Sequence, residues 1–341
     1  MQGEELNLDK PFELESGLEL PELKISYHTY GKLNDQKDNV IWVCHALTAS
    51  SAVHDWWAGL FGPGNVFDPE KYFIVCANNL GSPYGSSSPE QINPESGERY
   101  GMTFPDFTLK DTANVNLVLM RHLKIENLHL LIGGSCGGNI AMEMAVRLGT
   151  RIKNLSLLCC AARETPWTIA IHQCQRIALE SDADFYINKS RTALNGLKSA
   201  RAFALPFYRT SQSINSRQKE EDQNKMSDYK SASYITYQGE KFIKRFDAHC
   251  YYKLLNALDN HNLGRGHENI PLALQKIKCN TLVFGIDSDL FIPVEEQQFL
   301  AMHIPNARYL EIKSIYGHDA FLIETAQIRE LMSKKETILR H

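Results

Sequence analysis

The chain has 341 residues, 43% hydrophobic and 22% charged. That is enough for one large folded domain with an insertion, or for two domains. Its 36 Lys and Arg against 40 Asp and Glu leave a net charge of −4, which argues against the concentrated basic face that a nucleic acid needs. No apolar run approaches the ~20 residues of a membrane span. Residues 1–5 are acidic and lack the apolar segment of a secretory signal, so a cytoplasmic location is expected.

Taken in chain order, apolar and β-branched runs predict strands at 23–29, 40–44, 73–77, 128–132 and 155–159. Helical spacing fits 109–123 and 139–148. The strand rhythm stops after 162 and resumes with strands at 281–285 and 308–312, separated by a helix at 294–302. Alternating β and α segments argue for an α/β core with a mostly parallel sheet, spanning 1–162 and 266–341. Residues 163–265 are polar and helix-forming, which reads as a helical insertion. Insertions at the carboxyl ends of sheet strands sit over the ligand site, so this one is expected to act as a lid. Within it, 211–230 is especially polar and is expected to be mobile or to face solvent. The eight cysteines (44, 76, 136, 159, 160, 174, 250 and 279) show no C-x-x-C pair and no zinc-like spacing. They read as free buried thiols in a reducing compartment, with no metal site.

The chemistry starts at Gly133-Gly134-Ser135-Cys136-Gly137, which lies between the strand at 128–132 and the following helix. A G-x-S-x-G turn in that setting is a nucleophile elbow, with Ser135 lifted above the sheet. A serine hydroxyl needs a base, and in this arrangement an acid and then a histidine follow along the chain. Asp287 and Asp289 both follow the strand at 281–285, and either can supply the acid. His318 follows the last strand after Gly317 and is expected to reach Ser135 as the base. Two backbone N–H groups are expected to hold the oxyanion. One is that of Cys136. The other is that of Leu47, in the loop after the strand at 40–44, where the alternative is an apolar residue that merely packs.

Several strings resemble, in order and over nearly the whole chain, the homoserine O-acetyltransferase family of α/β-hydrolase-fold acyltransferases. They include His45-Ala46-Leu47-Thr48, Trp56-Trp57, Gly62-Pro63-Gly64, Tyr100-Gly101 and Gly133-Gly134-Ser135. Further along come Phe207-Tyr208-Arg209-Thr210, Tyr237-Gln238-Gly239-Glu240-Lys241-Phe242, Arg245-Phe246-Asp247-Ala248 and Tyr316-Gly317-His318-Asp319-Ala320-Phe321-Leu322. The resemblance implies an α/β-hydrolase fold and a ping-pong transfer of an acetyl group from acetyl-CoA to the hydroxyl of L-homoserine, in methionine biosynthesis. It implies Ser135, Asp289 and His318 as the triad, with Arg209 and Asp319 binding the amino acid. It also implies a homodimer, no resident cofactor, and coenzyme A as part of a substrate. A zwitterion needs a cation for its carboxylate and an anion for its ammonium, which suits Arg209 and Asp319.

The chain departs from the family where Cys136 replaces a usual methionine, Asn139-Ile140 a Met-Gln pair, and His249 an asparagine. The loop 81–89 also differs. Other readings within reach are a succinyl donor, a serine acceptor, or an esterase using the same triad.

Overall fold

The computed structural model describes residues 3–334. The core assignments at the two ends, residues 1–2 and 335–341, lie outside the described residues. The strands are β1 (Glu4–Leu8), β2 (Phe12–Glu13), β3 (Glu19–Leu20), β4 (Leu23–Tyr30) and β5 (Val40–Cys44), followed by β6 (Phe73–Ala77), β7 (Leu128–Gly134), β8 (Ile152–Leu158), β9 (Asn280–Ile286) and β10 (Ala307–Ile312). The helices are α1 (Val53–Trp56), α2 (Leu109–His122), α3 (Cys136–Leu148), α4 (Pro166–Glu180), α5 (Leu194–Tyr208) and α6 (Ser211–Arg217), then α7 (Lys230–Ile243), α8 (Ala248–Asp259), α9 (Ile270–Leu274), α10 (Val294–His303), α11 (Ala320–Ile323) and α12 (Thr325–Ser333).

Eight strands form one sheet in the order β1-β4-β6-β5-β7-β8-β9-β10. β1 and β4, and β4 and β6, pair antiparallel, and every pairing from β6 to β10 is parallel. The central strands β5 and β6 are continuous apolar runs because both faces are buried, whereas β10 at the edge of the sheet is half-exposed and carries Arg308 and Glu311. In β5, Val40, Trp42 and Cys44 enter one core cluster while Ile41 and Val43 enter the other. Successive side chains alternate across a strand, so one unbroken run feeds two layers. The first layer holds Leu119 of α2 and Ile140 and Met144 of α3. The second holds Trp57, Phe321 and, from α12, Ile328. Trp42 satisfies its indole N–H on Asn116 Oδ1 at 2.9 Å, so this large side chain is buried at no cost in lost hydrogen bonds.

The predicted strands and helices occur with shifted ends, and the shifts have physical causes. α3 begins at Cys136, not at 139, and so runs through Gly137 and Gly138. Glycine disfavours helix, but tertiary contact overrides that preference here: a Cβ on Gly137 would lie 2.1 Å from the carbonyl oxygen of Cys44 in β5. β8 starts at Ile152, three residues earlier than expected, and ends at Leu158. Cys159 leaves the strand with φ 49° and donates its N–H to Phe284 O at 2.9 Å. β1 and the β2–β3 hairpin were not anticipated, because runs of two to five residues with exposed positions carry little pattern.

Helices α4 to α8 lie between β8 and β9. The two ends of this segment meet: Arg163 and Asn262 form an antiparallel bridge, Leu263 N–H donates to Ala162 O at 2.8 Å, and Glu164 N–H to His261 O at 3.1 Å. Hydroxyl and carboxylate caps start the helices. Thr165 caps α4, with Pro166 next, Thr210 caps α6, and Asp247 caps α8. Residues 211–217 of the polar stretch are therefore helical, and the exposed remainder runs on to α7.

Candidate active site

Ser135 sits between β7 and α3 with φ 55° and ψ −127°. A non-glycine residue in that region is strained, and such strain persists only where the surroundings enforce it. They do so here. A Cβ on Gly133 would lie 2.2 Å from Gly137 O, so glycine is required on both sides of the turn. Ser135 N–H donates to Leu158 O at 2.8 Å, which ties the elbow to β8.

His318 lies in a single helical turn after β10, entered through Gly317 at φ 64°. Its Nε2 is 2.8 Å from Ser135 Oγ, and its Nδ1 is 2.7 Å from Asp289 Oδ2. Asp289 follows β9, and its other oxygen accepts the N–H groups of Phe291 and Ile292, each at 2.9 Å. The two candidate acids are thereby separated: Asp287 instead accepts the N–H of Ser314 at 3.0 Å and braces the loop after β10. Ser135, Asp289 and His318 are all buried. Burial alone would lower the imidazole's proton affinity. The charge of Asp289 and its hydrogen bond outweigh burial and leave His318 above its ordinary value. The relay fixes one tautomer: Nδ1–H donates to the carboxylate, and Nε2 accepts from the serine hydroxyl.

Leu47 and Cys136 line the same cavity as Ser135, a space of about 630 Å³. Cys136 is the first residue of α3, so its N–H has no partner within the helix. Among the described residues the Leu47 N–H meets no protein acceptor either. The loop that carries Leu47 is braced by His45, a role the sequence did not reveal. His45 Nδ1 is 2.8 Å from Ala46 O, and Nε2 accepts Asn79 N–H at 3.0 Å. Both contacts suit a neutral ring, and complete burial lowers its pKa to about 4.

Arg209, at the end of α5, and Asp319, beside His318, line this cavity too. Sequence reasoning gave them separate partners on the amino acid, and the structure pairs them with each other, Arg209 Nε to Asp319 Oδ2 at 2.9 Å. The Nε–H is not aimed at that oxygen, so the pair is a charge contact and not an aligned hydrogen bond. Two further polar residues of the cavity, Glu164 and His172, went unnoticed because nothing local marks them. Glu164 precedes α4 and His172 lies within it, and only folding carries them into the cavity with Ser135.

A family model of the α/β hydrolase fold matches residues 39–325. The homoserine O-acetyltransferase of Cyclobacterium marinum is 44% identical over 94% of this chain and 91% of its own length. That of Chlorobaculum parvum is 40% identical over 94% and 91%. This chain belongs to the homoserine O-acetyltransferase family.

The family's solved members share the architecture as well. The homoserine O-acetyltransferase from Bacillus anthracis superposes with a TM-score of 0.88 at 25% identity, over 98% of both chains. The Staphylococcus aureus enzyme does so at 0.80 and 26%, over 98% of this chain and 96% of its own. Esterase E22 shares the fold at a TM-score of 0.86 and 21% identity, over 96% of this chain and 99% of its own. The homoserine O-acetyltransferase family therefore builds its site on a scaffold that other hydrolases use, and the residues in the cavity must decide the chemistry.

Proposed function

We propose that this protein is a homoserine O-acetyltransferase that works by a ping-pong mechanism with acetyl-CoA. The observation that carries the reading is that the Ser135–His318–Asp289 relay and the Arg209–Asp319 pair open into one cavity. In the first half-reaction Ser135 Oγ gives its proton to His318 Nε2 and attacks the thioester carbonyl. The N–H groups of Leu47 and Cys136 hold the oxyanion. As the carbonyl re-forms, the carbon–sulfur bond breaks and His318 returns the proton to the departing thiolate. In the second half-reaction the homoserine hydroxyl gives its proton to His318 and attacks the acetyl-serine, and His318 then reprotonates Ser135 Oγ. The acceptor's carboxylate replaces Asp319 on Arg209 while its ammonium replaces Arg209 on Asp319. That exchange leaves no buried charge unpaired.

Residues 163–265 serve as the lid, and α4, α5 and α7 supply Glu164's neighbour His172 as well as Arg201, Arg209 and Lys241 to the cavity. The cations Arg201, Lys241 and Arg245 suit the phosphates of coenzyme A. A homodimer formed through the lid is supported by Trp167, Ile177 and Phe203, large side chains left substantially exposed on α4 and α5. Light scattering on the purified protein tests it. Among the described residues no helix is long and apolar enough to cross a membrane. We assign the protein to the cytoplasm, where its biosynthetic substrates are made, and fractionation of cells tests that assignment.

Acetyl-CoA alone should acetylate Ser135, as seen by intact mass, and added homoserine should discharge the label and release coenzyme A continuously. Ester cleavage that is rapid and indifferent to homoserine would replace the transferase with an esterase. Arg209→Ala should still acetylate Ser135 but should weaken homoserine use by about ten- to a hundredfold, the worth of a charge-assisted pair. Loss of acetylation with unchanged homoserine affinity would refute that role.

A further inference from the structure

Glu164 stands at the neck of the inserted segment, and its backbone is held by His261 O at 3.1 Å. Its side chain lines the cavity with Ser135 and Cys136, yet the residue is only 8% exposed. The nearest polar partner is Asn139 Nδ2, at 3.4 Å from Oε1, on the first turn of α3. Among the described residues no cation forms an ion pair with it. A buried carboxylate without a counter-ion is costly. Near a developing oxyanion it also opposes the chemistry.

We infer that Glu164 sets the acyl preference of this cavity: it turns away acyl donors that carry a second carboxylate and admits short uncharged ones. The inference rests on the reading above, that Ser135 takes an acyl group from coenzyme A. Three observations support it. Glu164 lies close enough to act on the reacting groups. Burial raises the Cys136 thiol and lowers the His318 imidazole, and the charge of Glu164 acts upward on both. His172 shares the cavity: its Nδ1 lies 2.6 Å from Asp259 Oδ1, and its Nε2 is buried with no protein hydrogen-bond partner among the described residues. Of the cavity's cations not paired with Asp319, Lys241 and Arg245 are exposed at the rim, and Arg201 is half-buried with its guanidinium over the Tyr208 and Phe242 rings. These cations attract any coenzyme A thioester alike, so discrimination falls to Glu164, where a second carboxylate meets a like charge.

The test compares acetyl-CoA, butyryl-CoA and succinyl-CoA as acylating agents of the intact protein, read as the mass and rate of labelling at Ser135. Butyryl and succinyl chains have the same number of carbons and differ in the distal charge. The wild type should take acetyl readily and butyryl at a reduced rate, but succinyl more slowly than butyryl by at least about tenfold, since the second carboxylate is brought against a like charge. Glu164→Gln should raise the succinyl-to-butyryl rate ratio, both rates being measured in the variant itself, by at least about tenfold. Equal exclusion of butyryl and succinyl by the wild type would make size the selector and overturn the inference. So would ready succinylation of the wild type, or an unchanged ratio in Glu164→Gln. If that variant does not fold, the wild-type comparison decides alone. Failure of every thioester to label the wild type would remove the transferase reading itself, and the inference with it.

Discussion

At the scale of single residues, two distances define the site: 2.8 Å from His318 Nε2 to Ser135 Oγ, and 2.7 Å from His318 Nδ1 to Asp289. Removing the hydroxyl removes the nucleophile, so Ser135→Ala should form no acyl-enzyme, and turnover should fall by at least about a thousandfold. The base must be neutral to accept the serine proton. Because Asp289 and its hydrogen bond more than offset burial and lift His318 above 6.5, the acid limb of kcat/KM for acetyl-CoA should have its midpoint above pH 6.5. Asp289→Asn removes that charge. Its profile should shift to lower pH while the rate falls by several powers of ten. A midpoint unmoved in the variant would mean that another group titrates in that limb.

At the scale of elements, the elbow and the anchoring of the inserted helices carry the load. α3 can start at Cys136, directly after Ser135, only because Gly137 lets it touch the backbone of β5. Gly137→Ala places a Cβ against a carbonyl oxygen that cannot move aside. It should cost at least ~2 kcal/mol and displace the nucleophile, seen as a lower Tm together with lost acylation. The inserted helices are anchored by one carboxylate with two tasks. Asp247 Oδ1 caps α8 at Cys250 N, 2.9 Å away, and Oδ2 meets Arg99 Nη2 at 2.7 Å. Arg99 Nη1 also lies 2.9 Å from His249 Nδ1, and His249 Nε2–H donates to Phe185 O at 2.6 Å. A neutral histidine thus offers one acceptor and one donor, as an asparagine would, which accounts for the exchange at this position. Asp247→Ala strands a buried guanidinium, so unfolding free energy measured in urea should fall by ~3–5 kcal/mol.

At the scale of the whole molecule, buried histidines set the response to acid. Burial is the main cause of the lowered values of His45, about 4, and of His249. The unfolded chain binds protons at these positions below pH 6.5 and the folded chain does not, so their contribution is present above that pH and is lost as pH falls towards 4. His318 acts in the opposite sense, since its raised value favours the fold below pH 6.5 and that help fades as pH rises. His45 alone corresponds to ~3 kcal/mol between pH 7 and 4. Urea unfolding at pH 7.5 and pH 5 should show the loss. His45→Asn should flatten the difference, and an equally steep dependence in that variant would place the titration elsewhere.

The unbroken apolar runs, the sharp glycine turn at Ser135 and the order serine, acid, histidine were all legible in the sequence. Each is a short-range matter: alternation along a strand, a clash between neighbouring backbones, a carboxylate or imidazole in the loop after a strand. Asp289 was favoured over Asp287 partly through the family resemblance; the loop by itself left both open, because they differ in which way the side chain turns. Not legible were the mutual pairing of Arg209 and Asp319, the bracing by His45, and the presence of Glu164 and His172 beside the nucleophile. Ser135 and His318 are 183 positions apart, and Asp289 and His318 are 29 apart. Such distances close only when β7, β9 and β10 align in one parallel sheet and the inserted helices fold back over its carboxyl edge. Local sterics and burial decide which segments become strands and helices. Which side chains share a cavity depends on sheet register and on the closure of loops far apart in the chain, and only the assembled tertiary structure supplies both.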